Sequence, residues 1–499
     1  MTQIDTGTSN MQSDLRTQAF IGGTFVDAEG GALMPAWSPS TGQRIAEVAN
    51  CSAHDVERAV SVARVAFDKG SWSRAPLEFR KQVMHRFADL VESHSAELSY
   101  LDSLNAGKPI TACSTGDLPD AVATLRWYAE VIDKVYGRVS PNTGDGIGII
   151  TREPVGVVGS VIPWNYPCAT LAWKLGPALA CGNSVVVKPA EQAPLSAIRI
   201  AELAVEAGLP NGVLNVVPGV GEIAGRQVGM SLGVDALSFT GSTATGRRFL
   251  EYAAASNLKM VSLECGGKSP QIVLADAVAD LDYLVDQLAI AAFTNSGQNC
   301  TAGSRILVDE SVHDLVVAAL AARVATEVVG PALDPATTIG PVIEQRAMVR
   351  VLEAAEEARA GGATVVSGGR QALSESGGWF VEPTILAGVA SDMRVAREEL
   401  FGPLVAVLPF TDHAEAIAMA NDTSYGLAAS LYTNDIDRAT EIATSIRAGT
   451  VSINSYSEGD ITTPFGGYGL SGFGGREKGT DALAQYSELK TIWLTRRPR

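Results

Sequence analysis

Between Val155 and Thr240 the chain alternates short apolar, largely β-branched runs with amphipathic stretches, and this alternation limits the fold more than any other feature. Val155 to Ile162, Ser184 to Lys188, Val213 to Val217 and Ala236 to Thr240 read as strands. Ala169 to Ala180 and Ser196 to Ala207 read as helices, stopped by Gly182-Asn183 and by Gly208. Short continuous apolar runs belong to strands buried on both faces, and intervening helices supply the crossovers, so a doubly wound parallel sheet is expected. Such a sheet binds ligands beyond the carboxyl ends of its strands, and a dinucleotide is the natural guess. A second series, with strands at Gln271 to Leu274, Ala363 to Val366 and Leu404 to Leu408 and a helix at Val349 to Arg359, suggests a second α/β domain. Upstream, Ser52 opens a helical pattern through Val56, Val60, Ala63 and Phe67 that Gly70 stops; Phe79, Val83, Phe87 and Leu90 repeat it. Lys490 to Leu494 is an apolar strand near the end of the chain that must pair with something.

Composition removes several classes of function. With 46% hydrophobic and 19% charged residues the chain is too apolar for disorder. No apolar run approaches the ~20 residues of a bilayer span, so no membrane partner is expected. A net charge of −17 and a pI of about 4.8 argue against a nucleic-acid partner, which would need a Lys/Arg excess. Met1 to Arg16 has no apolar signal core, and the expected address is cytoplasmic. The six cysteines form no CxxC pair and read as reduced thiols; the five histidines include no HExxH, and no metal site is expected.

Several segments carry groups suited to chemistry. Cys300 lies in the Gly/Asn/Ser-rich break Asn295-Ser-Gly-Gln-Asn-Cys300, after a helical apolar run, where a thiol can be an accessible nucleophile. Glu264 ends the strand Lys259 to Leu263 and precedes Cys265-Gly-Gly-Lys268. Asn165, in Pro163-Trp-Asn-Tyr-Pro167 after another strand, offers an uncharged N–H to a developing oxyanion. Lys188-Pro-Ala-Glu191 puts a cation and an anion at the next strand end, and Gly241-Ser-Thr-Ala-Thr-Gly246 opens a helix whose N–H groups suit a pyrophosphate. Each segment alone also fits an ordinary turn, salt bridge or buried thiol.

Taken in order, these segments resemble the aldehyde dehydrogenase superfamily from about Phe20 to Trp493. The resemblance runs through Pro163-Trp-Asn-Tyr-Pro167, Lys188-Pro-Ala-Glu191, Phe239-Thr-Gly-Ser242, Leu263-Glu-Cys-Gly-Gly-Lys268, Gly297-Gln-Asn-Cys300, Glu382-Pro-Thr384, Glu398-Glu-Leu-Phe-Gly-Pro403 and Pro464-Phe-Gly-Gly-Tyr468. It implies an α/β fold of two doubly wound domains with a small β oligomerisation arm. The expected division is an NAD-binding domain from 1–137 and 155–262, a catalytic domain from 263–475, and an oligomerisation element from 138–154 and 482–499. The arm would give Lys490 to Leu494 a sheet partner in a neighbouring subunit of a homo-oligomer, dimer or tetramer.

The resemblance also implies a mechanism. Cys300 would attack an aldehyde, Asn165 and the backbone N–H of Cys300 would hold the oxyanion, and Glu264 would activate water against the thioester, with Gly266 and Gly267 giving it room to swing. NAD would be held by Ile162, Pro163, Trp164, Lys188, Glu191, Gly221, Phe239, Ser242, Glu398 and Phe401. Glu191 would favour NAD over NADP, because a carboxylate binds a 2′-hydroxyl and repels a 2′-phosphate. An acid at position 264 favours hydrolysis over transfer to coenzyme A, and the intact Cys300, Glu264 and Asn165 argue against a catalytically silent protein on this fold.

For substrate, the segments around Asp117 to Gly137 and Ser457 to Phe465 resemble the subgroup acting on γ-aminobutyraldehyde-type aldehydes, including γ-glutamyl-γ-aminobutyraldehyde and guanidinobutyraldehyde. The tunnel would be lined by Asp117, Asp120, Tyr166, Trp173, Glu458, Asp460 and Phe465, acids over aromatic walls that suit an ammonium or guanidinium. Thr294 stands where several of those enzymes carry a bulky aromatic, and the segment Gly469 to Lys478 departs from their usual wording. An aromatic, aliphatic or semialdehyde substrate stays open.

Overall fold

The computed structural model describes residues 15–141 and 146–495. The leader up to residue 14, which carries most of the segment read for a signal, lies outside the described residues, as do 142–145 and 496–499.

Two sheets dominate. The first has eight strands, in the spatial order Thr24–Val26, Ala19–Ile21, Leu214–Val216, Ser184–Lys188, Val157–Val161, Ala236–Thr240, Met260–Glu264 and Gly472–Phe473. Its five central strands run parallel, and every residue of Val157–Val161 and of Ser184–Lys188 is buried, as expected for strands covered by helices on both faces. From Val157–Val161 the chain winds outward to the strands at 184 and 214, then returns to the other side with Ala236–Thr240. The reversal opens a crevice between the loops after Val161 and Thr240, and those loops carry Asn165 and Ser242.

The second sheet has seven strands, in the order Thr364–Ser367, Thr384–Ala387, Leu404–Phe410, Arg305–Asp309, Pro270–Val273, Ala428–Tyr432 and Thr450–Ile453. All its pairings are parallel except that of Thr364–Ser367. Separate apolar clusters cover its two faces, one built on the Gln345–Ala360 helix and one on the Leu281–Phe293 helix.

The helices obey the local signals. Ala53–Lys69 starts with a capping box in which Ser52 and Asp55 satisfy each other's backbone N–H groups, and it ends at Gly70 in the left-handed conformation. In Leu77–Ser93, however, Phe79 is exposed, and the buried face runs through Arg80, Val83, Met84 and Phe87.

The third sheet is an arm. Ser487–Thr495 pairs antiparallel with Gly146–Pro154, which pairs in turn with Arg138–Val139. One edge of the strand expected to meet a neighbouring subunit is thus filled within the chain: Lys490 lies opposite Thr151 and Leu494 opposite Ile147. The other edge of Ser487–Thr495 has no strand partner among the described residues, and Leu489, Trp493 and Leu494 are exposed. Among the described residues no helix is long and apolar enough to cross a membrane.

Candidate active site

A cavity of about 590 Å³ lies between the two sheets and contains Cys300, Glu264 and Asn165. Cys300 follows a backbone the sequence did not announce. Asn295, Ser296 and Gly297 hold φ of 53°, 57° and 67°, and two non-glycine residues in this region cost about 1 kcal/mol each or more. Gln298 holds the turn in place: its side chain donates to the Asn295 carbonyl at 3.2 Å and accepts from the Ile343 N–H at 2.8 Å. The Asn165 amide donates one N–H to the Gln298 carbonyl at 2.9 Å, and its second proton is free for a ligand. Burial pushes the Cys300 thiol well above its ordinary range, reinforced by the charges of Glu458, Glu399 and Glu264 and opposed by its own backbone N–H.

Glu264 ends the strand Met260–Glu264 and is buried, with Oε2 unpartnered. Burial and then the neighbouring Glu477 carboxylate raise its pKa well above the usual carboxylate range, while Lys174 and Arg476 act the other way. Lys174, on the Pro167–Cys181 helix, is fully buried; it pairs with Glu477 and donates to Ser238 Oγ at 2.9 Å. The glycines divide their work differently from expectation. A Cβ on Gly267 would sit 2.5 Å from the Cys300 carbonyl oxygen, and one on Gly266 would strike the Glu399 carboxylate. It is Gly466, at φ 151°, that leaves room for Glu264, since a Cβ there would lie 2.5 Å from Oε1.

Of the residues expected to hold NAD, Pro163, Trp164, Ser242 and Phe401 line the cavity. The Trp164 and Phe401 rings meet edge to face at 5.4 Å. Lys188, Glu191 and Gly221 form a second group along the strand ends. The Glu191 carboxylate accepts from the Gly221 N–H at 3.0 Å, and burial lowers the Lys188 ammonium to about 8. Ser242 caps the Thr243–Ala255 helix, and with Gly241 it lines the cavity. A carboxylate, an ammonium and a helix N-terminus in series are the donor set that ribose hydroxyls and a pyrophosphate require, so these residues fit a dinucleotide.

Three of the residues expected at NAD do not line the cavity and are engaged within the protein. Ile162 is buried and uses its N–H on the Lys188 carbonyl at 3.2 Å. Phe239 packs in the core against Phe249 at 5.0 Å. Glu398 turns outward to Arg394 at 2.8 Å, whereas its neighbour Glu399 faces the cavity, accepts from the Gly267 N–H at 3.1 Å and is pushed up to about 7 by burial.

The end expected to take the substrate is less acidic than its sequence. Asp117 borders the cavity, but it is buried and paired with Lys108 at 2.6 Å, and burial holds its carboxyl at about 6. Asp460 is exposed, away from the cavity lining, and accepts from the Thr462 N–H at 2.8 Å to close its own turn. Asp120 and Glu458 remain. Asp120 accepts from Trp173 Nε1 at 2.5 Å, and burial raises its pKa. Glu458 Oε1 accepts from the Thr301 hydroxyl and from Asn299 Nδ2 at 3.4 Å, which sets it beside the cysteine loop. Tyr166 is buried with the Lys108 ammonium 3.3 Å from its ring centroid, and Phe465 meets Trp173 at 5.4 Å.

Glu399, Lys174, Glu477 and Lys478 were not found from sequence. Glu399 carries the same local signal as its neighbour Glu398, while Lys174 and Glu477 are 303 residues apart and carry none.

The family model described as the aldehyde dehydrogenase family matches residues 25–492. Aminoacetaldehyde dehydrogenase of Pseudomonas aeruginosa is 49% identical over 482 residues, 96% of this chain and 96% of that protein. The solved structure of γ-glutamyl-γ-aminobutyraldehyde dehydrogenase from Burkholderia cenocepacia has a TM-score of 0.95 at 47% identity, covering 98% of this chain and 99% of that one. A mutant indole-3-acetaldehyde dehydrogenase of P. syringae, solved with NAD+ and IAA, has a TM-score of 0.96 at 46% identity and covers 98% of each chain.

Proposed function

This chain belongs to the aldehyde dehydrogenase family, and on that premise we propose that Cys300 carries the NAD-dependent oxidation of an ω-amino- or guanidino-aldehyde to its carboxylic acid. The observation that carries the reading is one cavity holding the Cys300 thiol, the spare N–H of Asn165 and the unpartnered Oε2 of Glu264.

Cys300 gives up its proton to water, and its sulfur bonds to the aldehyde carbon as the carbonyl π pair moves onto oxygen to make an oxyanion. Asn165 Nδ2 and the Cys300 N–H hold that oxygen; a donor of this kind is worth roughly 10²–10³-fold in rate. NAD+, when bound, supplies the acceptor for the hydride that leaves the carbon, so the bound group becomes a thioester. Glu264 then takes a proton from water as the water oxygen bonds to the acyl carbon, and the C–S bond breaks to release the acid and restore Cys300. Lys174 and Glu477, paired behind Glu264, hold its charge balance through these changes.

Glu191, fixed by the Gly221 N–H, lies on the ribose side and disfavours a 2′-phosphate. The sheet of 1–137 and 155–262 would then be the NAD-binding domain, and 263–475 the catalytic domain, with Gly472–Phe473 crossing back to the first sheet. The substrate cation is read by Glu458 beside the cysteine loop and by Asp120 on Trp173. Aminoacetaldehyde and γ-glutamyl-γ-aminobutyraldehyde, named for two relatives, both fit this class. A second reading, an aromatic aldehyde, is favoured by the Trp173, Phe465 and Tyr166 walls and by the indole-3-acetaldehyde enzyme.

One kinetic panel decides between them. We expect kcat/KM for 4-aminobutanal to exceed that for hexanal and for phenylacetaldehyde by at least about tenfold, the worth of one charge-assisted contact, and kcat/KM with NAD to exceed that with NADP. A preference for hexanal rejects the cationic substrate, a preference for phenylacetaldehyde supports the aromatic one, and parity with NADP rejects the role of Glu191. The open edge and exposed apolar face of Ser487–Thr495 are the basis for proposing a homo-oligomer joined through the 138–154 and 482–499 arm. Sedimentation at the monomer mass would reject the oligomer.

A further inference from the structure

Of the two cations that line the cavity, Arg350 donates to the Leu400 carbonyl at 3.2 Å, while the reaction above leaves Lys478 without a task. It is buried yet borders the cavity, and its backbone holds φ 58°, a conformation that disfavours a long side chain. Its Nζ lies 4.0 Å from the Trp173 ring centroid and 5.4 Å from that of Phe465. The aromatic face that would attract a substrate ammonium is thus already covered by the protein's own. The same indole donates its Nε1–H to Asp120 Oδ2 at 2.5 Å. One tryptophan therefore holds an anion at its edge and a cation on its face, and the two charges feel each other without closing into an ion pair.

We propose that Lys478 is a specificity-determining residue, which together with Asp120 reads a distal substrate group bearing both an ammonium and an oxygen acceptor, as an α-amino acid does. The inference rests on the aldehyde-oxidation reading above and names its substrate class more closely. An ammonium alone gains Asp120 but approaches Lys478 across a face it cannot share. A carboxylate alone gains Lys478 but meets Asp120 and Glu458, two like charges. A group with both satisfies each protein charge by a charge-assisted hydrogen bond. The strained backbone at Lys478 is consistent with a side chain held in place for its charge.

Four aldehydes of matched length test this: octanal, 7-aminoheptanal, 8-oxooctanoate and 2-amino-8-oxooctanoate, each with NAD, on the wild-type chain and on K478M and K478R. In the wild type the dipolar aldehyde should have the highest kcat/KM of the four. In K478M the ratio of kcat/KM for 2-amino-8-oxooctanoate to that for 7-aminoheptanal should fall at least tenfold, and K478R should recover part of it. Ratios are taken within each variant, so partial unfolding cancels, and the wild-type ranking still decides if K478M does not fold. A ratio within twofold of wild type in K478M, or a wild type that ranks 7-aminoheptanal first, overturns the inference while leaving Cys300 chemistry intact. A wild type that oxidises none of the four overturns both.

Discussion

C300A should lose aldehyde oxidation by roughly 10⁴-fold or more in kcat/KM, because no other group in the cavity can form the carbon–sulfur bond. Cys265 is the one other thiol that borders the cavity; it is buried where Cys300 is partly exposed, so it offers no accessible substitute nucleophile. The side chain removed is small, and the left-handed turn before it is held by Gln298 and Asn295 rather than by the thiol. Thermal unfolding of C300A should therefore stay close to wild type. Residual activity above about a tenth would move the chemistry to another residue.

The second large effect belongs to Glu264. E264Q should cut steady-state turnover by roughly 10²–10⁴-fold, the usual worth of a positioned base, while sparing the step before it. A rapid burst of about one NADH per active site should precede the slow phase, with the acyl group held on Cys300 as a thioester. Loss of the burst together with turnover would place Glu264 earlier in the reaction. The wild-type pH profile has a definite sign. Burial and Glu477 hold the Glu264 carboxyl protonated above its usual range, and burial and three carboxylates do the same for the Cys300 thiol. Both groups work only once deprotonated, so turnover should climb from neutral into alkaline pH, and E264Q should flatten the part of the climb that belongs to hydrolysis.

What could be read from the sequence follows from how local each signal is. Ser184–Lys188 and Ala236–Thr240 have the same limits in the structure as in the sequence, because a strand buried on both faces is one apolar run with turn residues at its ends. Cys300, Glu264 and Asn165 stand in contiguous motifs, and the structure brings all three to one cavity. Charge pairing is different, since spacing does not say where a carboxylate finds its cation. Asp117 looked like a free acid until Lys108, nine residues earlier, closed on it, and Asp460 spends itself on its own turn. Glu398 and Glu399 are adjacent and chemically identical, and only the backbone decides which of them faces inward. The Lys174–Glu477 pair joins a helix of the first half to a loop near the end, a contact that exists only after folding.

The late chain matters for more than the site. Gly472–Phe473 adds the last strand beside Met260–Glu264, Tyr128 donates to the Gly479 carbonyl at 3.1 Å, and Asn183 donates to the Tyr486 carbonyl at 2.9 Å. The strand that carries Glu264 thus stays an open sheet edge until almost the whole polypeptide has left the ribosome. During synthesis the first half can collapse early but cannot seal itself, and an exposed parallel edge is a template for wrong partners. A chain cut between Ile453 and Gly472 would keep every strand of the second sheet and all but the last of the first, and would lose the clasp that makes it one molecule.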